Sequence, residues 1–134
     1  MWLSEQAIRR QRDESPKVAT VTIGGQHPAA QAGREWRGMT VLAPGGYVWL
    51  PGQQEEVLTM ACETGEQAVA GAKLGEIPAG MMPGEVYVHA AGGAGILLKN
   101  DGQIQIRGKV SLQGEMDVTG ALRVNGLPVA VQIG

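Results

Sequence analysis

Phenylalanine is missing from the 134 residues, aromatics amount to only 4 %, and there is a single cysteine. Each shortage excludes something. So few large apolar side chains cannot fill a large globular core. Cys62 has no intrachain disulfide partner, so nothing is stapled, and at the end of an apolar run it reads as a small core residue. Charge of either sign is in no great surplus: the formal net charge is −2. That balance favours neither nucleic acid nor an anionic membrane as partner. No apolar run approaches the roughly 18 residues of a membrane span. The polar start after Met1-Trp2-Leu3 does not read as a signal peptide, so synthesis in a cytosol is expected.

Catalytic constellations are also missing. His27 and His89 are far apart in sequence, and no Ser/His/Asp or Cys/His spacing recurs. Glu55-Glu56 and the pair Glu63 and Glu66 read as solvated surface carboxylates. Gly92-Gly93-Ala94-Gly95 lacks the GxxxxGK[ST] pattern and precedes no helix, so it is no phosphate loop. We expect no enzymatic activity and no cofactor.

Glycine, by contrast, occurs 21 times, and five of these set a rhythm. Gly102, Gly108, Gly114, Gly120 and Gly126 are spaced by six. After each of the first four, the second and fourth residues are apolar: Ile104 and Ile106, Val110 and Leu112, Met116 and Val118, Leu122 and Val124. Side chains alternate faces along extended chain, so these even positions share one face. A period this regular means a repeat architecture. At full extension the stretch would reach about 80 Å, and a lone strand has no protein partner for its backbone or its apolar stripe. The expected solution is several copies wound together with stripes inward, a trimeric β-helix. The single-chain left-handed β-helix of hexapeptide acyltransferases fits poorly. Its repeats place an aliphatic residue before the small one, where this chain has Arg107, Gln113, Thr119 and Asn125.

Upstream, residues 1–16 read as a separate piece with a short helix capped by Ser4, either a frayed terminus or an arm whose Trp2 and Leu3 dock on a neighbouring protein. Residues 17–80 read as a small β-barrel. Its expected strands are Lys17–Ile23, Glu35–Ala43, Tyr47–Leu50, Glu56–Cys62 and Gln67–Leu74, with a polar loop around His27-Pro28. This size and spacing suit an oligonucleotide/oligosaccharide-binding (OB) barrel. Residues 81–101 form a junction in which Glu85–His89 and Gly95–Lys99 make a hairpin, and 102–126 are the fibre.

The segments PGQQEEVLTM, GEVYVHAAGGAGILLKNDG and VTGALRVNG together resemble the phage Mu-like baseplate spikes, the baseplate assembly protein V family of contractile tails. The resemblance covers about residues 17–126. It implies an OB domain beneath the tail hub and a homotrimeric β-helical needle driven through a target envelope. Hub and baseplate proteins would be met through the arm and barrel, with a separate tip protein as a further partner. It also implies assembly, after synthesis in a bacterial cytoplasm, into a phage tail or bacteriocin-like particle. Many relatives end in a His-x-His pair that binds iron at the apex. This chain has no histidine after His89, so no such metal site is carried over, and there is no room for the lysozyme domain of larger relatives. Three copies of His89 meeting on a trimer axis are the one candidate for an axial metal or anion, against the plainer reading of a rim histidine.

A competing function is an OB-type module that binds nucleic acid or carbohydrate and trimerises through its tail. Trp36, Tyr47 and Trp49 would be its aromatics, with only Arg34 and Arg37 nearby as basic groups. After Gly126 the apolar residues Leu127, Val129, Val131 and Ile133 fall on odd positions, and Pro128 cannot donate to a ladder. Residues 127–134 are therefore a tip segment. Either it folds back as a cap, the expected outcome, or it presents an apolar apex.

Overall fold

A computed structural model describes residues 15–130, and every regular element among them is a strand. The expected N-terminal helix, with Trp2, Leu3 and Ser4, lies outside the described residues. The chain divides into two compact units between Ile77 and Pro78.

The first unit holds β1 (Lys17–Ile23), β2 (Ala29–Ala32), β3 (Arg34–Trp36), β4 (Thr40–Val41), β5 (Glu56–Ala61) and β6 (Gln67–Ala72). They form one sheet in the order β3-β2-β1-β5-β6-β4. Only the β4–β6 pair is parallel, matching Thr40 to Ala68 and Val41 to Val69. β1 shows the period of two expected of a half-buried strand as far as Val21: Ala19 and Val21 are buried while Val18 is exposed, and the pairing register with β2 shifts between Val21 and Ile23. β5 buries Val57 and Thr59, and the Thr59 hydroxyl donates to the Lys17 carbonyl at 3.2 Å, so burial leaves it bonded.

This sheet must curl. The edge strands β3 and β4 are joined by residues 37–39 alone. Four residues limit Trp36 and Thr40 to about 14 Å between Cα atoms. Six flat strands would hold the two edges about 24 Å apart. Inside the curl, Val21, Met39, Val57 and Val69 pack with Ala19 and Ala30, and Trp36 and Trp49 close over them. The core is made of valine, alanine and Met39, in keeping with the scarcity of aromatics.

Three strand expectations differ from the structure. Ala29–Ala32 is a strand pairing with β1, where a loop was expected. Alanine carries a weak strand signal, and its value here is that a small side chain lets the walls approach. Glu35–Ala43 is not continuous: it breaks at Gly38, whose φ is +61°, into strands on opposite edges of the sheet. Tyr47–Leu50 is no strand, because among the described residues it has no ladder partner. Trp49 anchors it by packing on the core, while Val48 is 94 % exposed.

The second unit opens with two turns and a three-stranded meander of β7 (Val86–His89), β8 (Gly95–Leu98) and β9 (Ile104–Arg107). The first two strands form the expected hairpin, closed by Ala90 N–H donating to the Ala94 carbonyl at 3.0 Å. The second turn is tightened by the Asp101 carboxylate, which accepts from the Gln103 N–H at 2.9 Å. Residues 108–121 follow without strand assignment, and then a short hairpin of β10 (Arg123–Val124) and β11 (Leu127–Pro128). The buried hydrophobic side chains among the described residues all lie between Ala19 and Val69. Among the described residues the second unit has no core of its own.

Candidate functional site: an apolar stripe without a partner

Strand register shows how the second unit disposes its apolar residues. Val86 stands opposite Leu98, and Leu98 opposite Ile104; Val88 stands opposite Ile96, and Ile96 opposite Ile106. Directly opposed residues of antiparallel strands point to the same face. One face of the meander is therefore two apolar rows, and Ile104 and Ile106 are also the first pair of the hexad stripe. Val86, Val88, Ile96 and Leu98 were not among the expected fibre residues. Their even numbering was the signal that would have found them.

The stripe continues through Val110, Leu112, Met116, Val118, Leu122 and Val124. Exposure along its twelve residues runs from 42 % at Leu98 to 65 % at Val110 and Met116. Complete burial of such a side chain is worth about 1.5–3 kcal/mol. Within the chain about half of that stabilisation is unrealised.

The repeat is also present in the backbone. Gly108, Gly114 and Gly120 have φ of +128°, +128° and +120°, a conformation that side-chain-bearing residues rarely adopt. Gly102 and Gly126, at +89° and +78°, belong to turns instead. Among the described residues, 108–121 make no backbone hydrogen bond with another segment.

At the tip, Asn125 and Gly126 have φ of +52° and +78°, the paired left-handed conformation of a two-residue hairpin turn. Leu127 comes to lie opposite Val124 and Pro128 opposite Arg123, and Val129 N–H donates to the Leu122 carbonyl at 2.8 Å. The segment folds back through residue 129. Val131 and Ile133 lie outside the described residues.

The remaining candidates are scattered. His89 stacks on Tyr87, with ring centroids 4.8 Å apart and planes within 13°. Tyr87 is paired with Leu97 on the face away from the stripe. His89, two residues on, lies on that same face, opposite the stripe. His27 is exposed in the other unit, Cys62 is half-buried, and no three His, Cys, Asp or Glu side chains converge among the described residues. Trp36 lies beneath the Arg34 guanidinium at 3.6 Å, Trp49 is turned onto the core, and Tyr47 is exposed. One open ring is not a platform for successive bases. No protein-family model matches the chain, and no curated protein matches it.

Proposed function

We propose that the chain is a structural cell-puncturing spike, a homotrimer at the centre of a contractile-tail baseplate that pierces its target envelope mechanically. The observation that carries this reading is the stripe from Val86 to Val124, continuous, half-exposed and attached to a backbone without ladder partners over 108–121. Three copies winding together supply both missing things at once, an apolar interior and inter-chain hydrogen bonds. The β-helix so formed is the needle. The curled six-stranded sheet is its OB-like barrel, the part that meets the tail hub. The near-equal φ at Gly108, Gly114 and Gly120 supports a regular helical winding of each chain. A shaft of that kind resists bending and unfolding, and its work needs no catalytic group.

Particles carrying the protein test this role. Antibodies against residues 85–130 should label the target-facing end of contractile particles. Particles produced with Val118→Asp in place of the parent chain should fail to permeabilise target cells. Labelling along the sheath, or full permeabilisation by the variant, contradicts the reading.

A further inference from the structure

The face of the β7–β8–β9 sheet opposite the stripe is chemically unlike it. Register places Tyr87, Leu97 and Gln105 in one row across the three strands, and His89, Gly95 and Arg107 in the next. The Tyr87 ring leans over Gly95. A Cβ added there would meet Tyr87 Cε1 at 2.7 Å and the phenol oxygen at 2.8 Å, so only glycine leaves the ring this seat. His89, stacked on that ring, helps to fix it. Above this floor the turn at Pro78–Met81 forms a rim, enclosing a cavity of about 420 Å³. That is the size of a site for a small organic molecule.

The charges lining the cavity do not cancel. Lys99 and Arg107 both line it, and among the described residues neither side chain is in an ion pair or a hydrogen bond. The one carboxylate in the lining, Glu85, is already engaged. Its Oε1 accepts from the Met82 N–H at 2.8 Å and its Oε2 from the Asn100 N–H at 2.9 Å. Those two bonds hold its pKa below the usual carboxylate value and keep it ionised; Lys99 adds a smaller attraction. Two cations thus stand against one carboxylate that is committed to the backbone.

We propose that this cavity binds a sugar ring bearing a negative charge. Arg107 and Lys99 take the anion, Gln105 and the Tyr87 hydroxyl meet ring hydroxyls, and the Tyr87 ring with Leu97 lies along the C–H face. Guanidinium–oxyanion bonds are the strong, geometrically specific component. The site lies on the face away from the stripe, so it depends on neither the trimer nor the piercing role.

Calorimetric titration of the full chain with glucuronate, glucose 1-phosphate, glucose and inorganic phosphate tests it. The expected result is saturable binding of one or both charged sugars, one per chain, with Kd on the order of 1 mM. Binding by only one of them supports the proposal and names the anion. Glucose and inorganic phosphate alone should each bind roughly tenfold or more weakly, and R107Q should cost the charged sugar a similar factor. K109Q, outside the cavity lining, should change nothing. No binding of either charged sugar, equal binding of inorganic phosphate or glucose, or an equal loss in K109Q each overturns the proposal.

Discussion

Leu127 stands directly opposite Val124 across the Asn125-Gly126 turn, an odd-numbered residue facing an even-numbered one. The two earlier turns pair even with even, as Val86 with Leu98 and Leu98 with Ile104. A two-residue turn reverses parity, so an apolar residue stays on the stripe's face only if its numbering changes from even to odd. The sequence makes that change at Leu127. What looks like a slipped pattern is the register of a hairpin, and Leu127 and Val124 share one face.

The turn itself can be tested through its second residue. Gly126 has φ of +78°, where a β-branched side chain is strained. Gly126→Val is expected to cost about 1–3 kcal/mol and to lower the melting temperature. Asn125→Gly, which keeps the left-handed geometry accessible, should be close to neutral. Equal melting temperatures for Gly126→Val and the parent would contradict the hairpin tip.

Charging the stripe should prevent assembly where charging the opposite face does not. Val110→Asp or Val118→Asp would bury unpaired carboxylates near one another, at several kcal/mol each. Ser111→Lys and Asp117→Lys should stay within roughly 0.5 kcal/mol of the parent. Chromatography on the four variants checks this, and equal behaviour of both sets would rule out the inward register.

The second unit was more legible in the sequence than the first, for a physical reason. A hexad glycine and an even-numbered apolar stripe follow from the local alternation of extended chain, which one sequence records. The fold-back at Asn125-Gly126 was legible too, because that dipeptide suits two successive left-handed residues. The first unit depends on long-range pairing. Thr40-Val41 joins the sheet only by lying parallel to Ala68-Val69, and nothing local in Glu35–Ala43 announces the break at Gly38. Ala29–Ala32 escaped because small residues carry little strand signal, and Tyr47–Leu50 misled because aromatic and β-branched residues carry much. That His89 lies on the face opposite the stripe follows from its odd number, whereas its stacking on Tyr87 had no signal in the sequence.

Gly24 is a close approach that the sequence does not announce. A Cβ there would meet the Pro51 carbonyl oxygen at 2.7 Å and the Gln53 nitrogen at 3.2 Å, both backbone atoms. Gly24→Ala must therefore push residues 51–53 away from the end of β1. A loss of about 1–3 kcal/mol is expected from denaturant unfolding of the first unit. An unchanged midpoint would show that the loop yields freely.

Acid should loosen the entry to the meander. The Met82 and Asn100 N–H groups, in that order of effect, lower the Glu85 pKa from 4.5. A depressed folded-state value means that the group's contribution to stability is present above the unfolded pKa. It is lost as pH falls through the folded one. Below about pH 4.5 the turns at Met82 and Asn100 should therefore lose protection, and Glu85→Gln should flatten that dependence. A carbon NMR titration placing the Glu85 midpoint at or above 4.5 would contradict the assigned bonds.

The central claim is that the stripe is completed by other copies of the same chain, and the native mass of the purified full chain tests it most directly. Sedimentation equilibrium at micromolar concentration should give about 42 kDa, three times the 14.0 kDa chain, with no dissociation on dilution while the protein stays folded. A folded species at 14.0 kDa would contradict the claim, because the stripe from Val86 to Val124 would then stand in water with no partner at all.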